Sequence, residues 1–272
     1  MSIYERLPDS DSLPPAIIEA PQEQCGFCLI PRTGTTDHFQ RIHGDIPHTL
    51  RIPGMPAGWT VLQDVIPLAE LGGQLIIMPD RHWISLATVD DQKGLVAATD
   101  AVVSGLRGVF PHPIFYFEHG PGFIEGEQIA CGGCHMDHAH GHLLLLPEGT
   151  TLKPIQEHTE QILEYYGWTD IPNKRVESTT VFTDNDRVAG LRPYIHLGMI
   201  RDNDTHSVTY VQTSIDDAVE SQLMRRVIAE VVYHHTEPAY WHWRDLAINL
   251  ANPQRIAQLQ HDVIAFREAT GY

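Results

Sequence analysis

Asp137-His138-Ala139-His140-Gly141-His142-Leu143-Leu144-Leu145-Leu146-Pro147 decides the reading of this chain. Three histidines alternate with two small residues and run into an apolar stretch that ends at a proline. On a β-strand, residues two apart share a face. The spacing therefore predicts a strand with His138, His140 and His142 on one side, and Ala139 and Gly141 on the other, where backbone can approach closely. Three imidazoles at this spacing suit a metal ion or nucleophilic attack on phosphorus. A row of solvated edge histidines is disfavoured by the leucine run, which reads as buried.

The surroundings narrow the chemistry. A metallo-β-lactamase-like site would need His-x-His-x-Asp-His, and Gly133 stands where its first histidine belongs. Other pieces fall in order around the triplet. They are Cys25-Gly26-Phe27-Cys28, then Leu75-Ile76-Ile77-Met78-Pro79-Asp80-Arg81-His82, then Phe117-Glu118-His119-Gly120 before a glycine-rich loop. Together with His138-x-His140-x-His142 they resemble the histidine triad superfamily of nucleotide hydrolases and transferases, over roughly residues 25–150.

Element by element, residues 59–66 and 74–78 read as strands, and 49–52 as a short one within an irregular connection over 31–58. Thr88, with Asp91 three residues on, reads as a helix start. Leu95, Val102, Leu106 and Val109 follow as an apolar stripe at helical spacing. Residues 114–118 form the next strand, residues 119–137 a long loop, and the histidine strand closes the unit. The resemblance implies an α+β fold, a histidine-triad-like antiparallel sheet with packed helices, followed by a C-terminal α+β half or extension. The division expected is an N-terminal arm over 1–24, a triad domain over 25–150 and the extension over 151–272.

In that extension, residues 194–200 and 207–213 read as strands around a turn at 201–204. Val219, Leu223, Val227 and Val231 share a helix face. Asn252 before Pro253 starts another helix, with Ile256, Leu259, Val263 and Phe266 as its buried stripe. The succession is similar to two-half relatives such as galactose-1-phosphate uridylyltransferase and the diadenosine tetraphosphate phosphorylases. An unrelated extension is the plain alternative. His234, His235 and His242 are read as surface or capping residues.

With 272 residues, 42% of them hydrophobic, the chain can bury a large core. No apolar run approaches the ~18–20 residues of a membrane span. The polar, proline-broken first 24 residues lack a signal-peptide pattern, so a cytoplasmic location is expected. A net charge of −17, with 18 Lys and Arg against 35 Asp and Glu, argues against nucleic acid, while a small phosphate-bearing ligand stays compatible because it needs only local donors. Membrane association is not expected. Single-triad relatives pair as symmetric dimers, which leaves two readings here: a homodimer, or a second half that replaces the missing partner.

Four cysteines in such a setting are not read first as disulfides. Cys25 and Cys28 have the spacing that lets both sulfurs hold one ion. Two sets could complete it, Cys131 with Cys134, or His82 with His138. The resemblance to zinc-containing triad proteins favours Cys25, Cys28, His82 and His138 around one structural Zn²⁺ per chain. It also implies His140 as the nucleophile that forms a covalent nucleotidyl-histidine, with His142 contacting the phosphate and the departing or arriving oxygen. Gly132, Gly133, Cys134 and His135 would lie at the phosphates, with Glu118 or His119 supplying a polar group there. Asp64 is the candidate for the ribose hydroxyls, a turn-capping role being the alternative. Gln74 stands where family hydrolases carry a fourth histidine. The substrate implied is a dinucleoside polyphosphate, nucleoside phosphoramidate or nucleotide sugar. Two other readings stay open: a zinc-stabilised nucleotide-binding module without turnover, and a mononuclear metal hydrolase using all three histidines.

Overall fold

The computed structural model describes residues 25–34, 48–64, 68, 74–129, 138–179, 181, 192–201, 204–216, 219–220, 222–241, 261 and 265. The proposed arm over 1–24, residues 130–137 of the expected loop, His242, and Asn252 with the stripe Ile256, Leu259, Val263 and Phe266 lie outside them. Among the described residues, no helix is long and apolar enough to cross a membrane.

The chain is α+β, built on one eight-stranded sheet whose neighbouring strands are all antiparallel. In chain order the strands are β1 (Thr49–Leu50), β2 (Trp59–Gln63), β3 (Leu75–Pro79), β4 (Ile114–Gly120), β5 (Gly122–Ile124), β6 (Glu127–Ile129), β7 (Gly141–Leu145), β8 (Arg175–Ser178), β9 (Tyr194–Arg201) and β10 (Asp204–Val211). The sheet order is β1-β2-β3-β7-β4-β9-β10-β8, and β5 pairs with β6 as a separate hairpin inside the stretch expected to be a loop. The helices are α1 (Gly26–Thr33), α2 (Gln92–Val109), α3 (Leu152–Tyr165), α4 (Ile171–Lys174) and α5 (Leu223–Val231).

Strand β7 lies in mid-sheet, which explains its unbroken leucines: both faces are covered. Leu143 and Leu145 pack with Leu95, Ala98, Val102 and Leu106 of α2. Leu144 and Leu146 pack on the other face with Ile155, Ile162 and Leu163 of α3 and with α5. Further along that second face, Phe27 and Ile30 of α1 cover Leu62, Ile76 and Met78. Helix α1 closes at Gly34, whose φ of 75° lets its N–H reach the Ile30 carbonyl at 2.7 Å. That left-handed backbone is cheap for glycine alone.

Two expectations are corrected. Helix α2 starts one turn later than Thr88 suggests. Asp91 is its cap, accepting from the Gly94 N–H at 2.9 Å, while Ser85 and Thr88 cap a short 3-10 turn over Leu86–Thr88. The triad strand is also shorter, because β7 begins at Gly141, so only His142 of the three histidines lies on it. The Ala139 N–H donates to the Trp83 carbonyl at 2.5 Å, in the loop past the end of β3. That bond takes the chain off the ladder before it reaches β3.

The sheet runs unbroken from first half to second through the β4–β9 pair, Ile114↔Ile200 to Gly120↔Tyr194. Outward from that pair the order is β4, β7, β3 on one side and β9, β10, β8 on the other. Each trio occurs in the chain as outer, inner, middle, followed by a helix (α3 or α5), and those two helices share one core beneath the sheet. The second half thus repeats the strand order of β3, β4 and β7.

The junction needs one small residue. At Gly198, opposite Tyr116, a Cβ would lie 2.3 Å from the tyrosine Cζ and hydroxyl and 2.7 Å from the His206 carbonyl oxygen. Gly198→Ala is expected to destabilise the chain by about 1–3 kcal/mol, because a fully buried ring and a backbone oxygen must both move. Urea denaturation followed by circular dichroism checks this; an unchanged midpoint would mean that the junction tolerates slack.

Candidate functional site

Two clusters meet where β7 begins. The first gathers Cys25, Cys28, His82 and His138, whose candidate ligand atoms all lie within 4.8 Å of one another. Local structure accounts for each. Cys25 is the residue before α1 and Cys28 lies in its first turn, so a three-residue offset brings both sulfurs to one side. His82 follows the end of β3, and His138 precedes β7, the strand beside it. Cys28 Sγ is 3.3 Å from His82 Nδ1 and 3.4 Å from His138 Nδ1, and Cys25 Sγ is 3.5 Å from His138 Nδ1. A tetrahedral ion bonded to sulfur at ~2.3 Å and to imidazole at ~2.0 Å keeps such atoms roughly 3.5 Å apart. The donor set fits.

The protonation pattern suits a cation as well. His138 Nε2–H donates to the Pro79 carbonyl at 2.8 Å, which leaves the Nδ1 lone pair facing the sulfurs. Burial works against the Cys25 thiolate. Polar contacts of its sulfur with the His138 and His82 rings, and the Cys28 backbone, outweigh it and bring the thiol down to about 5. Among the described residues this is the one group of histidine, cysteine and carboxylate side chains that converges as an ion site; His140 and His142 do not join it.

The second cluster surrounds His140 and His142. Their ring centroids are 5.1 Å apart, and the edge of Phe27 lies against His140 at 5.1 Å. His140 Nδ1–H donates to the His138 carbonyl at 2.7 Å, so its Nε2 carries the lone pair. Burial, helped by the neighbouring His142, pushes its pKa down to about 3, and the ring is neutral at physiological pH. His142 stacks on Phe117 across the ladder, with centroids 4.5 Å apart and planes at 12°. Its Nδ1 faces Asp64 Oδ2 at 3.5 Å and Gln74 Nε2 at 3.4 Å.

Asp64 and Gln74 meet because they close the β2–β3 hairpin side by side. The Asp64 N–H donates to the Gln74 carbonyl at 3.0 Å, and Gln74 Nε2 donates to Asp64 Oδ2 at 2.5 Å. The Leu68 N–H donates to Gln74 Oε1 at 2.6 Å and so fixes the amide's orientation.

Two residues were invisible to sequence reasoning. Arg225 of α5 reaches across from the second half and donates to Asp64 Oδ2 at 3.4 Å and to the Trp241 carbonyl at 3.1 Å. A guanidinium beside the apolar positions 223, 224, 227 and 228 was the available signal. Phe117 was quoted only as part of a motif, and period-2 counting from His119 would have placed it under the triad.

Glu118 falls elsewhere. It alternates with Phe117 and His119, and its carboxylate accepts from the Leu86 N–H at 2.7 Å and the Tyr194 hydroxyl at 2.6 Å. It anchors the loop after β3 to β9. His119 shares the face of Phe117, ring centroids 6.0 Å apart. Gly132, Gly133, Cys134 and His135, and Cys131 of the alternative ligand set, lie outside the described residues.

No protein-family model matches the chain, and no curated protein sequence matches it. Among solved structures, a uridylyltransferase mutant aligns with a TM-score of 0.39 and 12% identity, covering 81% of this chain and 93% of that one. A second uridylyltransferase aligns with a TM-score of 0.36 and 13% identity, covering 79% and 94%. Likenesses this distant carry no argument about the reaction, and the chemistry has to stand on the site's own geometry.

The Cys-His cluster yields a direct test. Cys28→Ser should lower bound metal, read by plasma mass spectrometry, and the melting temperature by roughly 10 °C, since site and fold form together. His82→Ala should do the same. Metal retained in His82→Ala but lost in Cys131→Ser would assign the site to the other cysteine pair.

Proposed function

We propose that this chain is a nucleotidyl-transferring enzyme of the histidine-triad type, acting on a nucleoside phosphate derivative through His140. The observation that supports it most is the state of His140. Its Nδ1 proton is held by the His138 carbonyl, its ring is neutral, and Nε2 is the atom left for attack. In the first step that lone pair forms a P–N bond to the phosphorus next to the nucleoside, and the bond from phosphorus to the leaving group breaks, an oxygen in a polyphosphate or nucleotide sugar and the amine nitrogen in a phosphoramidate. In the second step an acceptor oxygen attacks the same phosphorus, the P–N bond breaks and His140 is regenerated. His142 Nε2 gives the departing oxygen or amine nitrogen its proton and takes one back from the arriving oxygen.

Cys25, Cys28, His82 and His138 would hold a Zn²⁺ ion that serves as a cross-link. On this reading the ion fixes the His138 carbonyl and, through it, the nucleophile's tautomer. Asp64 is proposed for the ribose hydroxyls, and backbone N–H groups around Gly132, Gly133, Cys134 and His135 for the phosphate oxygens, with His119 nearby on the same face. A nucleoside phosphoramidate, a dinucleoside polyphosphate or a nucleotide sugar would be the donor. The C-terminal half is read as a repeat that takes the place of a dimer partner, and the cytoplasm remains the expected location.

Incubation with these three donor classes, with and without inorganic phosphate, and product identification by mass spectrometry tests the reading. His140→Ala is expected to lose on the order of 10³-fold or more in turnover with metal content and folding intact. His142→Ala should lose less, roughly 10²-fold. Rapid quenching of the wild type should trap a nucleotide on His140 through a linkage that is acid-labile and base-stable. Full activity in His140→Ala would sink the triad mechanism.

A further inference from the structure

Arg225 is the one guanidinium among the described residues that enters the triad site, and it comes from the half without a triad. Its side chain is 8% exposed and that of Asp64 is 10% exposed. A carboxylate this buried needs a counter-charge. Gln74 is neutral and supplies only a hydrogen bond; His142 supplies a charge only while it is protonated. Among the described residues, Arg225 is the permanent cation that contacts Asp64. It is also held in place, since Nε donates to the Trp241 carbonyl while Nη1 reaches Asp64.

The consequence lies at His142. Asp64 Oδ2 receives Gln74 Nε2 and Arg225 Nη1 and faces His142 Nδ1, so three groups share a single oxygen. Held by Gln74 and Arg225 at 3.5 Å from His142 Nδ1, the Asp64 carboxylate favours the proton on that nitrogen and leaves Nε2 for the proton that is exchanged. Because Arg225 already neutralises the carboxylate, His142 can gain and lose its proton without leaving Asp64 unpaired. We propose that Arg225 is a positioning residue of the transfer reaction, acting through Asp64 on His142, and that the second half thereby completes the triad site. This inference rests on the nucleotidyl-transfer reading above.

A kinetic double-mutant cycle on the full-length chain tests it, using Arg225→Met, Asp64→Asn and their combination with a nucleoside phosphoramidate as substrate. Arg225→Met alone strands a buried carboxylate and can unfold the chain; the double variant removes both charges together and Arg225→Lys keeps the charge, so these two keep the test readable. Arg225→Met should lower kcat roughly 10- to 100-fold with KM nearly unchanged. The double variant should be no slower than Asp64→Asn alone, because Arg225 works only through that carboxylate. Arg225→Lys should recover part of kcat.

Losses that multiply in the double variant would overturn the proposal, as would an Arg225→Met loss confined to KM, which would reduce Arg225 to a support for the hold of Asp64 on the ribose. So would an unchanged kcat in a folded Arg225→Lys and double variant, with the wild type active; the transfer reading would then stand without Arg225. A wild type inactive on every donor class would instead bring down the transfer reading itself, and this inference with it.

Discussion

Everything at the site hangs from the contact among Cys28, His82 and His138. One sulfur within 3.4 Å of two imidazole nitrogens ties the first turn of α1, the loop after β3 and the approach to β7 at a single buried point. None of these segments is held there by a sheet ladder. His138 passes the constraint on through its backbone, since its carbonyl takes the Nδ1 proton of His140. The ligand cluster and the proposed nucleophile are thus joined by one peptide group. A shift of a few tenths of an ångström at the cysteines would be felt at His140.

The histidines, though close in sequence, sit in different electrostatic settings. His138 faces cysteine sulfur, His140 is desolvated beside another imidazole, and His142 faces a carboxylate. These settings suit the roles proposed for them, a positioned lone pair, a nucleophile and a proton-exchanging group. Phe27 and Phe117 supply the apolar walls, one at the edge of His140 and one under the plane of His142. Gln74 in place of a histidine removes one titrating group from this crowd, and Arg225 adds a charge that does not titrate near neutrality.

Much of this was legible in the residues. The 3.6-residue stripe from Leu95 to Leu106 is the buried face of α2, and the alternating and continuous apolar runs at 59–63, 75–79 and 114–118 are strands. Cys25-x-x-Cys28 with His82 and His138 does come together. Two readings miss for different reasons. Period-2 counting treated residues 138–142 as one strand, but a single backbone bond from Ala139 to Trp83 takes the first histidines off the ladder. Glu118 was assigned by its place in a motif, and alternation along β4 turns it away from Phe117 and His142 toward Leu86 and Tyr194.

By itself, the sequence determined the residue types at the site, the helical and extended periods around it, and the two-residue spacing of the three imidazoles. Those are local properties, set by side-chain chemistry and by the backbone's few allowed conformations. Tertiary structure alone decided which distant groups meet them. Cys28 finds His138 across 110 residues and Arg225 finds Asp64 across 161. The order β3-β7-β4-β9, which puts the triad strand in mid-sheet and the second half beside it, likewise leaves no trace in local spacing. The reason is physical: hydrophobic burial is non-directional, so an apolar pattern says which face is covered without saying by what.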